Sequence, residues 1–109
     1  MTQYEFEASV LKIQKGDKEG LREIYEAYIS YIYTIVLGVV GNRENAEDIT
    51  SDFFIKLWTV LDTYQSNGTH KAWLAAIARN MALDFIRKNK REIPTEEFEE
   101  DISTEETPE

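Results

Sequence analysis

Four stretches of the chain repeat their apolar residues every three or four positions, and none alternates with the period of two that a half-buried strand requires. Phe6, Val10 and Ile13 mark a short first helix that stops at Gly16. Asp17 is placed to cap a second helix, whose stripe runs Leu21, Ile24, Tyr25, Tyr28, Ile32, Ile35, Val36 and Val39 and ends at Gly41. Its mix of Tyr, Ile and Val has mediocre helix propensity, so packing must hold it. A third helix, Asn45 to Thr63, takes Asn42 or Asn45 as its cap and carries Glu47 and Asp48 in a first turn that favours acids. The polar stretch QSNGTH ending at His70 reads as a loop. The fourth helix runs from His70 to Arg91, and Lys88, Lys90 and Arg91 close it with the sign a helix C-terminus favours. The pattern predicts an all-α fold, a compact bundle of three to four helices spanning residues 1–91.

Pro94 ends regular structure, and residues 92–109 offer only Ile93, Phe98 and Ile102 for burial. That segment is expected to be a disordered acidic tail or linker. The 109 residues suffice for one core and not for two. The longest apolar run, Ile29 to Val40, is interrupted by Ser30, Thr34 and Gly38, short of the roughly 18 to 20 residues of a membrane span. The charged side chains of the first ten positions are the acids Glu5 and Glu7, where a signal peptide has a basic lead. The expectation is a cytoplasmic chain with no membrane partner.

A net charge of −9 argues against a polyanion partner until it is mapped along the sequence. Residues 1–91 hold all 12 Lys and Arg against 12 acids, and residues 92–109 hold nine acids and no base. Within the neutral part, Glu44, Glu47, Asp48, Asp52 and Asp62 face only Lys56, whereas Lys71, Arg79, Arg87, Lys88, Lys90 and Arg91 face only Asp84. The domain is a charge dipole with an acidic tail, and an approaching polyanion meets its local charge.

The chemistry of enzymes is poorly provided for. There is no Cys and a single His, which removes disulfides, Cys-based zinc sites, a Cys nucleophile and any site needing two imidazoles. No Gly-rich phosphate cradle or nucleophile elbow occurs, and although Asp48 and Asp52 are carboxylates at i, i+4, no other ligands converge on them. No catalytic residue, metal or cofactor is expected. His70, beside a helix start, reads as a capping or surface residue.

Two helix faces carry more information. On the third helix Ile49, Phe53, Leu57, Val60 and Leu61 form the core side, with Trp58 at its edge. The opposite side gathers Asp48, Asp52, Thr59 and Asp62 around Ile55. That is either a solvated face with one stray Ile or an apolar contact point in an acidic rim, suited to a basic partner helix. On the fourth helix Leu74, Ile77, Ala78, Met81 and Phe85 make the core stripe, and Asn80, Asp84, Arg87 and Arg91 follow one flank. Small Ala72 and Ala76 at one end and a basic cluster at the other would let a phosphate backbone come close. An ordinary solvated helix with a basic end fits the same residues. Tyr64 can stack on an unpaired base or plug the bundle.

The segments AEDITSDFFIKLW (Ala46 to Trp58) and AWLAAIARNMALDFIRKNKR (Ala72 to Arg91), in that order across the polar loop, resemble region 2 of bacterial sigma factors of the extracytoplasmic-function group. With LREIYEAYISYIYTIVLGVVGN upstream, the resemblance covers Asp17 to Arg91. It implies an all-helical domain that binds the clamp coiled coil of the β′ subunit of RNA polymerase and captures the melted minus-ten promoter element. On this chain the resemblance places Asp48, Ser51, Asp52 and Ile55 in the polymerase-binding stretch. It makes Tyr64 to Lys71, with His70, the loop that receives a flipped base of the non-template strand, sets Asn80 and Asp84 near promoter bases, and puts Arg79, Arg87, Lys88, Lys90 and Arg91 on the backbone. An anti-sigma factor is a further partner class it implies. Ser51 stands where relatives usually carry Gln, His70 replaces a common aromatic, and Ala75 with Ala76 replace a frequent aromatic and Arg. Full-length members continue into a helix-turn-helix domain, and this chain is expected to stop in the linker that leads there. The competing reading is a helical interaction adaptor that binds a basic coiled coil and has no role at DNA.

Overall fold

A computed structural model describes residues 1–64 and 68–92, without the side chains of 90–92. It contains α1 (Gln3–Gln14), α2 (Glu19–Val40), α3 (Arg43–Val60), a 3-10 turn (Leu61–Thr63) and α4 (His70–Glu92). No strand occurs among the described residues, as the apolar spacing predicts. The fourth helix includes Glu92; the rest of the expected acidic tail, 93–109, lies outside the described residues.

Local chemistry sets the ends of these helices. Thr2 and Glu5 form a reciprocal capping box at the start of α1, each accepting from the other's backbone N–H. The Asp17 carboxylate accepts from the N–H of Glu19 at 2.9 Å, so it serves the start of α2 as the sequence suggests, although Lys18 holds the capping position. Gly41 closes α2 at φ 69°, a left-handed turn that glycine adopts without strain, and its N–H returns to the carbonyl of Leu37. Asn42, rather than Asn45, caps α3, its side-chain oxygen accepting from the N–H of Asn45 at 2.8 Å.

The central element is α2, against which α1, α3 and α4 all pack. Its sealed positions are Gly20, Ile24, Tyr28, Ile32 and Val36, a strict i, i+4 ladder. The predicted stripe is broader; Tyr25 is 44% exposed, because its ring meets the edge of Phe54 at 5.0 Å and leaves its other side to solvent. Phe54, outside the predicted core of α3, is buried by that contact and by Phe53 at 4.9 Å. By length and composition α2 would suffice to cross a membrane. Here its apolar ladder is the seam of the bundle.

The core line of α4 is also displaced from the expected one. Leu74, Ala78 and Ala82 are buried, whereas Ile77, Met81 and Phe85 are half-buried. The alanines let the α4 backbone approach α2, and the larger side chains close the seam from either side. Between α1 and α2 a polar tie reinforces packing: Ser9 Oγ donates to Glu23 at 2.7 Å and Lys12 Nζ to its other oxygen at 2.5 Å, which holds the Glu23 carboxyl below its ordinary pKa.

Candidate functional site

The acidic ridge forms as the helical spacing implies. Asp48, Ser51, Asp52 and Ile55 are all exposed along one side of α3, and Ile55 is 67% exposed although it is an aliphatic side chain in mid-helix. Neither Asp48 nor Asp52 has an ion-pair partner among the described residues, so their field is available to an incoming cation. Beside the ridge runs a groove of about 540 Å³ between α2 and α3, lined by Tyr25, Ile29 and Tyr33 on one wall and Glu47, Thr50 and Ser51 on the other. No local pattern foretells it, because it depends on how two helices cross.

The opposite charge lies on α4. Arg79, Asn80, Asp84, Arg87 and Lys88 are exposed, with Ala72 and Ala76 leaving a low surface at the N-terminal end. Arg87 Nη2 donates to Asp84 Oδ1 one turn earlier, so part of the basic charge is neutralised on the helix itself. Both side chains are well exposed, and such pairs contribute little and open readily. Lys90 and Arg91 belong to α4, and their side chains lie outside the described set.

The two ends of the loop differ in exposure. Lys71 is exposed, with its ammonium 4.9 Å from the ring centroid of Tyr31, an aromatic that the helical pattern did not single out. Tyr64 plugs the bundle. Its ring meets Phe6 at 5.3 Å and Trp73 at 4.9 Å, both edge-to-face, and its hydroxyl accepts from Gln3 Nε2 at 2.8 Å.

His70 corrects the sequence reading most sharply. It is neither cap nor surface residue but 4% exposed, stacked on Phe6 at 4.5 Å with the rings 16° apart. Its backbone N–H and Nδ1 both lie 2.8 Å from Gln3 Oε1, and Nε2 pairs with the Tyr28 hydroxyl. Burial chiefly, then the chain's own amino terminus and Lys71, lower its pKa, with Glu7 opposing. A ring so enclosed offers no face to a nucleic-acid base. The partners that bury it, Gln3 and Phe6, come from the far end of the sequence, and no local signal announces them.

Comparison with known proteins places the chain in a family. The Sigma-70 region 2 profile matches residues 24–92. The chain is 33% identical over 81 residues to the ECF RNA polymerase sigma factor SigW of Bacillus subtilis, covering 74% of this chain and 43% of that protein. It is 31% identical over 71 residues to SigM of the same organism, covering 65% of this chain and 43% of that one. The chain thus spans less than half the length of these relatives. Among solved structures, an engineered region 2 of sigmaE, determined by NMR in complex with GTAAAA, superposes with a TM-score of 0.75 at 24% identity, covering 83% of this chain and 94% of that one, which establishes the shared fold. Fold, profile and relatives agree: the chain belongs to the sigma-70 region 2 family, in its extracytoplasmic-function branch.

Proposed function

We propose that this domain acts in transcription initiation in the cytoplasm. Its α3 ridge docks RNA polymerase core at the clamp coiled coil of β′, and its α4 flank and adjoining loop hold the melted non-template strand of the minus-ten element. The observation that carries the polymerase half is Ile55: an exposed aliphatic residue flanked by exposed carboxylates suits a basic helix with an apolar stripe. The DNA half is supported by the exposed Arg79, Asn80 and Lys88 of α4, on a helix where Ala72 and Ala76 leave a low surface. Base capture calls for groups that contact an unstacked base and charges that hold its backbone, and no covalent step. The domain is therefore a binding module rather than an enzyme, and an anti-sigma factor is the further partner its family implies.

Ile55→Glu tests the polymerase half. Because Ile55 is outside the core, the thermal midpoint should stay nearly unchanged, while affinity for a β′ coiled-coil fragment falls by a hot-spot amount, roughly 2 kcal/mol. Unchanged affinity in a folded variant would remove the interface assignment. A helical adaptor without a DNA role would lose the same affinity but show no promoter-strand binding with polymerase present.

A further inference from the structure

The segment proposed to receive a base is gripped at both ends by one side chain on α1. The amide of Gln3 sits between Tyr64 and His70, the residues that bracket it. Its orientation is fixed by chemistry: the backbone N–H of His70 can only donate, so the atom facing it is the carbonyl Oε1. That oxygen also takes His70 Nδ1, which must therefore carry the ring proton, leaving Nε2 to meet the Tyr28 hydroxyl. The two protons on Gln3 Nε2 go to Tyr64 Oη and Glu7 Oε2, each at 2.8 Å. All four hydrogen-bonding positions of the amide are used. One turn along α1, Phe6 is wholly buried, stacked on His70 and edge-on to Tyr64.

We propose that Gln3, supported by Phe6, is a positioning residue for promoter-base recognition: it sets the spacing and direction of the two ends of the Tyr64–His70 segment, and so where Lys71 and the start of α4 present themselves to DNA. This rests on the base-capture reading of that segment. Both residues lie on α1, before the portion that the family profile matches, 24–92. The amide is suited to it because it offers a donor and an acceptor in one rigid plane, and so fixes two segments at once where an apolar residue would fix neither.

The test uses the full chain with polymerase core, on fork templates bearing promoter-like or scrambled single strands. Gln3→Leu keeps the bulk and removes all four bonds; it should lower discrimination between strands about five- to tenfold, the effect of one or two hydrogen bonds, with polymerase affinity unchanged. His70 is the single histidine, so its ring ¹⁵N signals read the clamp without DNA: wild type should show the Nδ1–H tautomer and Gln3→Leu should lose it. The double substitution Gln3→Glu with Glu7→Gln rebuilds the network in reverse. The new carboxylate accepts from His70 twice and from Tyr64, and the new amide at position 7 donates to it, so both readouts should return. If Gln3→Leu changes the tautomer while discrimination holds, and Lys71→Ala still reduces it, the positioning role is wrong and base capture stands. If Lys71→Ala and Asn80→Ala leave discrimination intact as well, base capture itself fails and the role falls with it. Failure of the reversed pair to restore discrimination in a folded protein also overturns the proposal.

Discussion

Two glycines on α2 show how far one methyl group matters here. A β-carbon on Gly20 would run into the carbonyl oxygen of Ser9 and lie 2.9 Å from Ile13 Cγ1, because α1 crosses α2 at that point. A β-carbon on Gly38 would meet nothing within 4 Å. Gly20→Ala should therefore destabilise the domain by about 1 to 3 kcal/mol through overpacking, more than its gain in helix propensity. Gly38→Ala should stabilise it by roughly 0.5 to 1 kcal/mol, since an alanine gives up less backbone entropy in a helix. Urea melts of the two variants check the opposite signs. The sequence distinguishes neither glycine, since both sit inside a helical pattern, whereas Ile55 is legible as exposed because its neighbours Asp48 and Asp52 fix the polar side of α3. His70 is illegible for the converse reason: what buries it stands 67 positions away.

At the scale of elements, α4 is proposed to divide its labour along its length. The Asn80 amide can offer both a donor and an acceptor to a base edge, whereas Lys88 and Lys90, beyond the last fully buried position at Ala82, suit a phosphate backbone. Neutralising Lys88 and Lys90 together should weaken all strands alike and reduce the salt slope by about 0.7 for each phosphate left without its cation. Asn80→Ala should cost discrimination of on the order of 1 kcal/mol and leave the slope intact. Promoter-opening titrations with polymerase, run over a salt series, separate the two; equal slopes or equal losses on every sequence would remove the division. The four helices can be read from spacing, and the end signals at Asp17, Gly41 and Asn42 from residue type, because those signals are local. The i, i+3 spacing of Asp84 and Arg87 is equally visible, and its consequence is that part of the Arg87 charge is offset on the helix before a phosphate arrives. On α4 the burial of Leu74 and Ala78 is legible from the spacing, whereas that of Ala82 is not, since no local pattern shows how closely α2 packs against it.

Across the whole molecule, charge is arranged in sequence order: an acidic third helix, a basic end to the fourth, then nine carboxylates from residue 92 onward. The acidic stretch follows Lys88 and Arg91 directly in sequence, and attraction and repulsion alike are screened over about 8 to 10 Å at physiological salt. Removing residues 95–109 should raise affinity for a single-stranded oligonucleotide at low salt and have little effect at high salt; equal affinity at low salt would dismiss this obstruction. Connectivity has a further consequence during synthesis. Chains emerge from the ribosome N-terminus first, at roughly 5 to 20 residues per second. The ladder of α2 from Ile24 to Val36 is therefore exposed for seconds before α4 exists to cover it. While unaccompanied, that 22-residue segment has the length and composition of a membrane span, with its apolar ladder uncovered. The Gln3 amide likewise waits for His70 to leave the exit tunnel, so the first residues made are among the last to find their partners.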